Sequence, residues 1–398
     1  MLELETALER ILQQISPLPS QTLPLSQAQD RFLAHPIAAR MDLPHFDNSA
    51  MDGFAVRAED LREIPVALKL QGRVAAGEFF PGKMEPGSCI RLFTGSPLPD
   101  GADAVIMQED TRLDPAQPEF VQMLDRVKPW ENVRLRGEDV KRGAPLIEAG
   151  ERLTATRCAL LAATGVDVVS VGAMPQVGVL ATGSELVEPG DRLAPGQIYE
   201  SNRLLIGSLL RSIAGGAAVC SSIVRDTLDE TRQALEHAFE HGHAVITCGG
   251  VSVGEFDFVK SAFEAMGGQL DFWKVAIRPG KPFVFGQWRG KYLFGLPGNP
   301  VSAAVTFVLL VRPALLRMQG ARDLSPRMTL GTLAEPLVNR GDRRHFMRVT
   351  LDSHGHVKSA GAQASHMLNS LAQANGLVDV PPATTWPAGA SIRVITLD

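Results

Sequence analysis

A chain of 398 residues exceeds the usual size of one compact core, so two or more domains are expected. Hydrophobic residues at 45% and charged residues at 21% are ordinary for a folded globular protein and exclude global disorder. With a formal charge of −5 and no long basic block, a nucleic-acid footprint is excluded, and an anionic ligand must be met by local Arg, Lys or backbone N–H groups.

The opening residues carry Leu4, Leu8, Ile11, Leu12 and Ile15 at helical spacing until Pro17 and Pro19 stop the helix, and Glu3, Glu5 and Glu9 among them are unlike a signal peptide. From Pro65 to about Glu148, Gly and Pro recur between short apolar runs such as Ser88–Phe93 and Ala104–Met107, which predicts a small β-rich unit. A helix led by Thr154 and closed by Gly165 follows, so the β-rich unit reads as an insertion within a helical one.

From Val177 strands and helices alternate. Strands are predicted at Val177–Ala181, Ala217–Val224, His243–Cys248 and Gln269–Ile277, and helices at Arg203–Ile213, from the Thr227/Glu230 capping box to His241, and at Phe256–Met266. A hairpin (Phe283–Phe285, Tyr292–Phe294) and a long apolar helix after Pro300 complete a three-layer α/β domain with a largely parallel sheet. The longest apolar run, Ala303–Val311, is too short to cross a bilayer. After Gly320 short strands predict a C-terminal β domain. The expected division is 1–45 with 140–175, 46–139, 176–325 and 326–398.

In an open α/β sheet, ligands bind beyond the carboxyl ends of the strands. Four segments are expected there: Thr182-Gly-Ser-Glu185, Arg225-Asp226, Thr247–Gly254 and Leu296-Pro-Gly-Asn-Pro300. Each Gly-rich turn reads either as a tight strand-to-helix connection or as a phosphate cradle, and three at one edge favour the cradle. Lys274, Arg278 and Lys281 gather cations around a Pro-Gly turn suited to an oxyanion, although a lone surface Lys usually meets only solvent. Asp52, Asp139, Glu185, Asp226 and Asp257 are loop or helix-start carboxylates that suit Mg²⁺, and Asp226 and Asp257 serve equally well to support helix N-termini. The four cysteines form no Cys-x-x-Cys pair, the histidines show no ligand spacing, and nucleophile-elbow and Walker motifs are missing, so zinc, hydrolase and P-loop readings lack their parts.

Asp47–Val56, Phe93–Val105, Leu180–Leu186, Cys248–Asp257 and Gly295–Ser302, in this order, resemble the MoeA and gephyrin E-domain family. The resemblance implies an elongated helical domain, an inserted β-rich domain, a MogA-like α/β molybdopterin-binding domain and a C-terminal β barrel. It implies a cytoplasmic, Mg²⁺-dependent enzyme that inserts molybdate into adenylyl-molybdopterin and releases AMP. Thr182, Gly183, Ser184, Gly249, Gly250, Ser252, Pro297, Gly298 and Pro300 would cradle the pterin and its phosphates, and Glu185, Asp226 and Asp257 would hold or orient the metal. Lys274, Arg278 and Lys281 would neutralise phosphate or molybdate, with Arg344, Arg348 and Ser365 as further oxyanion contacts. Arg278 stands where the family usually has Lys. Asp52 and Thr94 would serve the partner's site in a homodimer, and Asp139 joins the catalytic groups.

Two other readings belong beside this one: the adenylylation of molybdopterin by ATP, carried out by smaller proteins resembling only the α/β domain, and a binding scaffold like the gephyrin E domain. Further expected partners are a molybdopterin adenylyltransferase and molybdoenzyme maturation proteins; neither nucleic acid nor membrane is expected.

Overall fold

The computed structural model describes residues 1–213, 217–251 and 257–397, with the side chains of 217–220 outside the description. The α/β domain is built on a six-stranded sheet in the order Ala217–Val224, Gln176–Thr182, Ala244–Cys248, Lys291–Leu296, Pro282–Trp288, Gln269–Lys274. The first four strands are parallel, and Pro282–Trp288 runs against both its neighbours. Gln269–Lys274 therefore points with the parallel set. Lys274 ends at the same sheet edge as Thr182, Val224, Cys248 and Leu296, and lies opposite Pro282 in register. The chain steps from Gln176–Thr182 to one neighbour and then to the other, so a crevice opens between the ends of Gln176–Thr182 and Ala244–Cys248, where this topology places ligands.

Both sheet faces are buried, as a parallel sheet requires. Val177, Val179, Ile246, Cys248 and Phe294 pack on one side with Ile206 of α3 (Asn202–Ser212) and with the helix Pro300–Met318. Leu180, Val245, Val284 and Leu293 pack on the other with Leu235 and Phe239 of α4 (Leu228–His241) and Val259 and Phe263 of α5 (Phe258–Ala265). Thr227 caps α4 by accepting from the Glu230 amide at 3.3 Å.

Pro300–Met318 extends well past the expected apolar run. It has 19 residues, and an 18-residue window in it has a mean hydropathy of 1.7, long and apolar enough to span a bilayer, yet 89% of that window is buried inside the protein, which marks a core helix. The opening helix α1 (Leu4–Gln14) buries Leu4, Ala7 and Ile11 in the same core, and Arg10 forms an ion pair with Asp271 of the sheet.

The predicted strand Gln269–Ile277 divides in two. Gln269–Lys274 stays in the sheet, whereas Ile277–Arg278 leaves to pair in parallel with Arg344–Leu351 of the C-terminal domain. That domain closes on itself through Arg344–Leu351, His356–Ser359, Met328–Leu333, Ser391–Thr396 and Gly376–Val380, the last pairing back to the first. Another six-stranded sheet lies between Gly53 and Met123, in the order Ala104–Met107, Gly53–Val56, Ser88–Leu92, Val66–Val74, Phe120–Met123, Thr111–Leu113. The flanking segments rejoin where Ser20–Pro24 pairs with Val168–Gly172 and Ile37–Ala38 with Pro145–Ile147, around Leu25, Leu33, Leu153 and Leu161. The last of these belongs to the Thr154-capped helix α2 (Ala155–Ala163).

His345, at the junction of the α/β domain and the barrel, has a buried Nε2 without a partner. Burial, with Arg278, Arg348 and Arg343 nearby, pushes its pKa down from 6.5 to about 4. The unfolded chain binds this proton first on acidification, so the stability from a neutral His345 is present above about pH 6.5 and lost as pH falls towards 4. Melting temperature is expected to fall across that window, and less so in His345→Gln. An equal fall in both proteins would remove His345 as the cause.

Candidate active site

At the sheet crevice lies a cavity of about 460 Å³. Its walls include Thr182, Glu185, Gly249, Gly250, Asp257, Pro297, Gly298 and Pro300, so three of the four expected segments and the start of α5 meet there. The fourth segment is tied in by two reciprocal hydrogen bonds: the Ser184 amide donates to Asp226 Oδ2 at 2.9 Å, and the Asp226 amide donates to Ser184 Oγ at 3.1 Å. One carboxylate oxygen of Asp226 is thus used in shaping the Ser184 turn.

The glycines are needed for close approach. Gly249 and Gly250 have φ of +98° and +66°, and a Cβ on either would stand 2.9 or 2.8 Å from Thr182 Oγ1. That hydroxyl oxygen is itself buried without a partner, as is Oδ1 of the cavity-lining Asn202. Buried polar atoms normally have partners, so such atoms around one crevice fit a polar ligand. Ser252 lies outside the described residues.

The cations reach the same edge from the far side of the sheet. Lys281 is exposed and precedes the cavity-lining Pro282, and Lys274 lies across from that proline. Arg278 is exposed but pairs through its backbone with the barrel, beside His345. Ser365 also arrives from the barrel, with its Oγ accepting from Asn299 Nδ2 at 3.1 Å.

Two of the expected oxyanion contacts, Arg344 and Arg348, have other partners in the structure. Arg344 does not line this cavity; its guanidinium pairs with Asp379 and Glu5 beside a separate, largely apolar cavity of about 720 Å³ between α1 and the barrel. Paired with two carboxylates, it has little charge left for a ligand. Arg348 is fully buried and donates to Ser370 Oγ at 2.9 Å and to the carbonyls of Ala362 and Ala364 at 2.7 and 3.1 Å. It therefore anchors the loop that carries Ser365 rather than facing the cavity.

Asp52 and Thr94 come together, but in the inserted sheet's own loops. Asp52 Oδ1 accepts from the Thr94 amide at 2.7 Å and from Thr94 Oγ1 at 2.9 Å, and these bonds, the amide's first, hold its pKa below the usual carboxylate value. Asp139 is exposed, and its amide donates to the Leu43 carbonyl. None of the three lines the crevice cavity.

Some neighbours were not anticipated. Asn202, just before the expected start of α3, donates through Nδ2 to the Gly298 carbonyl at 2.7 Å and links two walls. Its position after Ser201 is a helix-start signal, and Asn202 itself opens the helix. Lys260, one turn into α5, places its ammonium 3.8 Å from the Trp273 ring centre, with Lys274 at 4.1 Å from the same ring. Burial lowers the Lys260 pKa, while the charge of Asp257 opposes that shift. Cys248 lines the cavity, yet complete burial pushes its thiol pKa far up, so it offers no thiolate nucleophile. The histidines require a further correction, because His237 and His241 of α4 bring ligand atoms close to Glu240. Their four-residue spacing is hidden in what reads as a solvated helix face.

The arrangement can bind a polyanion by backbone, carboxylate-held cation and ammonium groups, without a protein nucleophile. Comparison with known proteins gives it a lineage. Residues 2–165 match the MoeA N-terminal region (domain I and II), 178–317 a probable molybdopterin binding domain, and 331–397 the MoeA C-terminal region (domain IV). The molybdopterin molybdenumtransferase of Haemophilus influenzae is 39% identical over 94% of this chain and 93% of its own length. A molybdopterin molybdenumtransferase of Staphylococcus aureus is 34% identical over 98% of this chain and 94% of its own. A molybdopterin biosynthesis MoeA protein from Pyrococcus horikoshii, solved by crystallography, superimposes with a TM-score of 0.84 at 33% identity, covering 100% of this chain and 99% of that one. With matched regions along nearly the whole sequence and one shared architecture, the chain belongs to the MoeA family.

Proposed function

We propose that the protein acts in molybdenum cofactor biosynthesis, inserting molybdate into adenylyl-molybdopterin with release of AMP. The observation that carries this reading is the convergence of Gly-rich turns, two carboxylates and a flanking lysine on one crevice at the sheet's switch point. The pterin nucleotide would lie along Thr182–Ser184, Gly249–Gly250 and Pro297–Gly298. Glu185 and Asp257 present hard oxygen donors on the cavity, with Asp226 fixing the turn between them, a donor set that suits Mg²⁺. When bound, the ion would neutralise phosphate charge.

The protein's own groups would supply position and electrostatics. N–H groups of the glycine turns hold the phosphates, and Lys281 with Lys274 and Arg278 meets the molybdate dianion. Cleavage of the phosphoanhydride then needs an oxygen nucleophile from water or molybdate, with AMP as leaving group, consistent with the protonated Cys248. On this reading the enzyme would act in the cytoplasm as a homodimer.

The test is AMP release from adenylyl-molybdopterin, measured with and without molybdate and Mg²⁺. Release that depends on both supports insertion; formation of adenylyl-molybdopterin from ATP, without molybdate-dependent AMP release, would make the protein an adenylyltransferase instead. Within the same assay, Lys281→Ala is expected to raise the molybdate requirement about 10- to 100-fold, the worth of one charge-assisted hydrogen bond of roughly 1.5–3 kcal/mol. Calorimetric binding of adenylyl-molybdopterin should change far less, because many backbone donors share that ligand. Arg278→Lys should be milder than Arg278→Ala. Loss of nucleotide binding in Lys281→Ala with unchanged molybdate dependence would assign this lysine to the phosphates.

A further inference from the structure

The last turns of α4 carry His237, Glu240 and His241 on solvent-facing positions, with one ligand atom from each lying within 4.8 Å of the others. His237 Nδ1 stands 3.7 Å from Glu240 Oε2, and the two imidazole centroids are 5.5 Å apart. We propose that these three side chains form a binding site for a borderline transition-metal dication of the Zn²⁺ class, separate from the substrate crevice.

The helix makes the geometry. Residues four apart lie one above the other on one face, so His237 and His241 are neighbours, and Glu240, three after His237, closes the triangle. Zinc–nitrogen and zinc–oxygen bonds of about 2.0–2.2 Å in a tetrahedron set ligand atoms roughly 3.3 Å apart. The observed triangle closes to that size by rotation of exposed side chains, with no backbone movement. Two imidazoles and a carboxylate suit Zn²⁺, whereas Mg²⁺ prefers oxygen ligands and keeps its waters. The same His-x-x-Glu-His spacing on a helix puts its two histidines on zinc in one class of metalloproteases, where the glutamate between them serves as general base and a residue from elsewhere completes the site. Here three protein ligands leave a fourth position to water.

The surroundings fit a filled site. Lys291 is engaged with the backbone carbonyls of Phe239 and Glu240, so its ammonium serves the helix end rather than the three ligating groups. The helix of 14 residues places this turn roughly 20 Å from Asp226, which precedes the other end of α4, too far for the ion to touch the substrate crevice.

The experiment uses the full chain stripped of metal and titrated with Zn²⁺ against a chromophoric chelator, in millimolar Mg²⁺ that occupies oxygen-rich sites. One Zn²⁺ per chain is expected, with affinity falling at least about 10-fold in His237→Ala and in His241→Ala and the site lost in the double variant. Ring nitrogen shifts of His237 and His241 should move on Zn²⁺ addition, and molybdate-dependent AMP release should be the same in wild type and double variant. Circular dichroism checks that the double variant is folded, and His237→Gln with His241→Gln offers a second pair that keeps side-chain bulk. Wild-type stoichiometry and affinity in either folded double variant, or no Zn²⁺ bound by the wild type, would overturn the assignment. Because the readout is metal binding, it fails or holds independently of the reaction proposed above.

Discussion

Asp257→Asn is expected to melt as the wild type does and to lower molybdate-dependent AMP release by about 100-fold or more. The residue occupies the N-cap position of α5 and lines the crevice cavity. Asn is as good as Asp at a helix N-cap, so any helix-supporting role survives the exchange and stability should not move. What the amide loses is the negative charge, and with it much of its strength as a ligand for a hard dication. The effect should fall on turnover, and added Mg²⁺ should recover part of it. Asp226→Asn provides the contrast: an amide oxygen can still accept from the Ser184 amide, so the turn keeps its shape and a smaller loss is expected. A folded Asp257→Asn protein that turns over normally would place the metal elsewhere and leave Asp257 as a helix-start residue.

How far the sequence reached depended on whether a signal was local. The Thr154 and Thr227 caps, the Gly-rich turns and the strand of Ala217–Val224 were legible because each is written in a few adjacent residues. Strand order was not. The hairpin of Pro282–Trp288 with Lys291–Leu296 was expected, but the pairing of Gln269–Lys274 against it and the departure of Ile277–Arg278 to the barrel depend on partners outside the local sequence, and both decide where Lys274 and Arg278 end up. Arg344 and Arg348 show the same limit from the side of charge. In sequence they are two basic residues in one strand, and only tertiary contacts distinguish one held by Glu5, 339 positions away, from one buried against loop carbonyls. Asn202 and Lys260 were missed because each sits on a helix whose own periodicity explains it, while its importance comes from Gly298 or Trp273 across the sheet edge.

The carboxylate–hydroxyl pair of the inserted sheet, which the crevice does not contain, leads to the second large effect. Asp52 and Thr94 hold each other in a fixed geometry, with the Asp52 carboxylate kept ionised, although neither lines the crevice cavity of their own chain. Beside them Met51 and Phe93 are 41% and 37% exposed, an apolar and anionic edge suited to meeting another surface. If that surface is the crevice of a second copy, Asp52→Ala and Asp257→Ala are each inactive as homodimers, because every site then lacks one group. Mixing them after subunit exchange should restore activity. A heterodimer gathers both lesions in one of its two sites and leaves the other intact, so a random equal mixture holds half heterodimers and is expected to recover about a quarter of wild-type activity. The measurement is AMP release before and after mixing, with exchange followed by mass spectrometry on isotopically labelled chains. Full exchange without recovered activity would show that each subunit works with its own residues, and would assign the Asp52–Thr94 pair to the architecture of the inserted sheet.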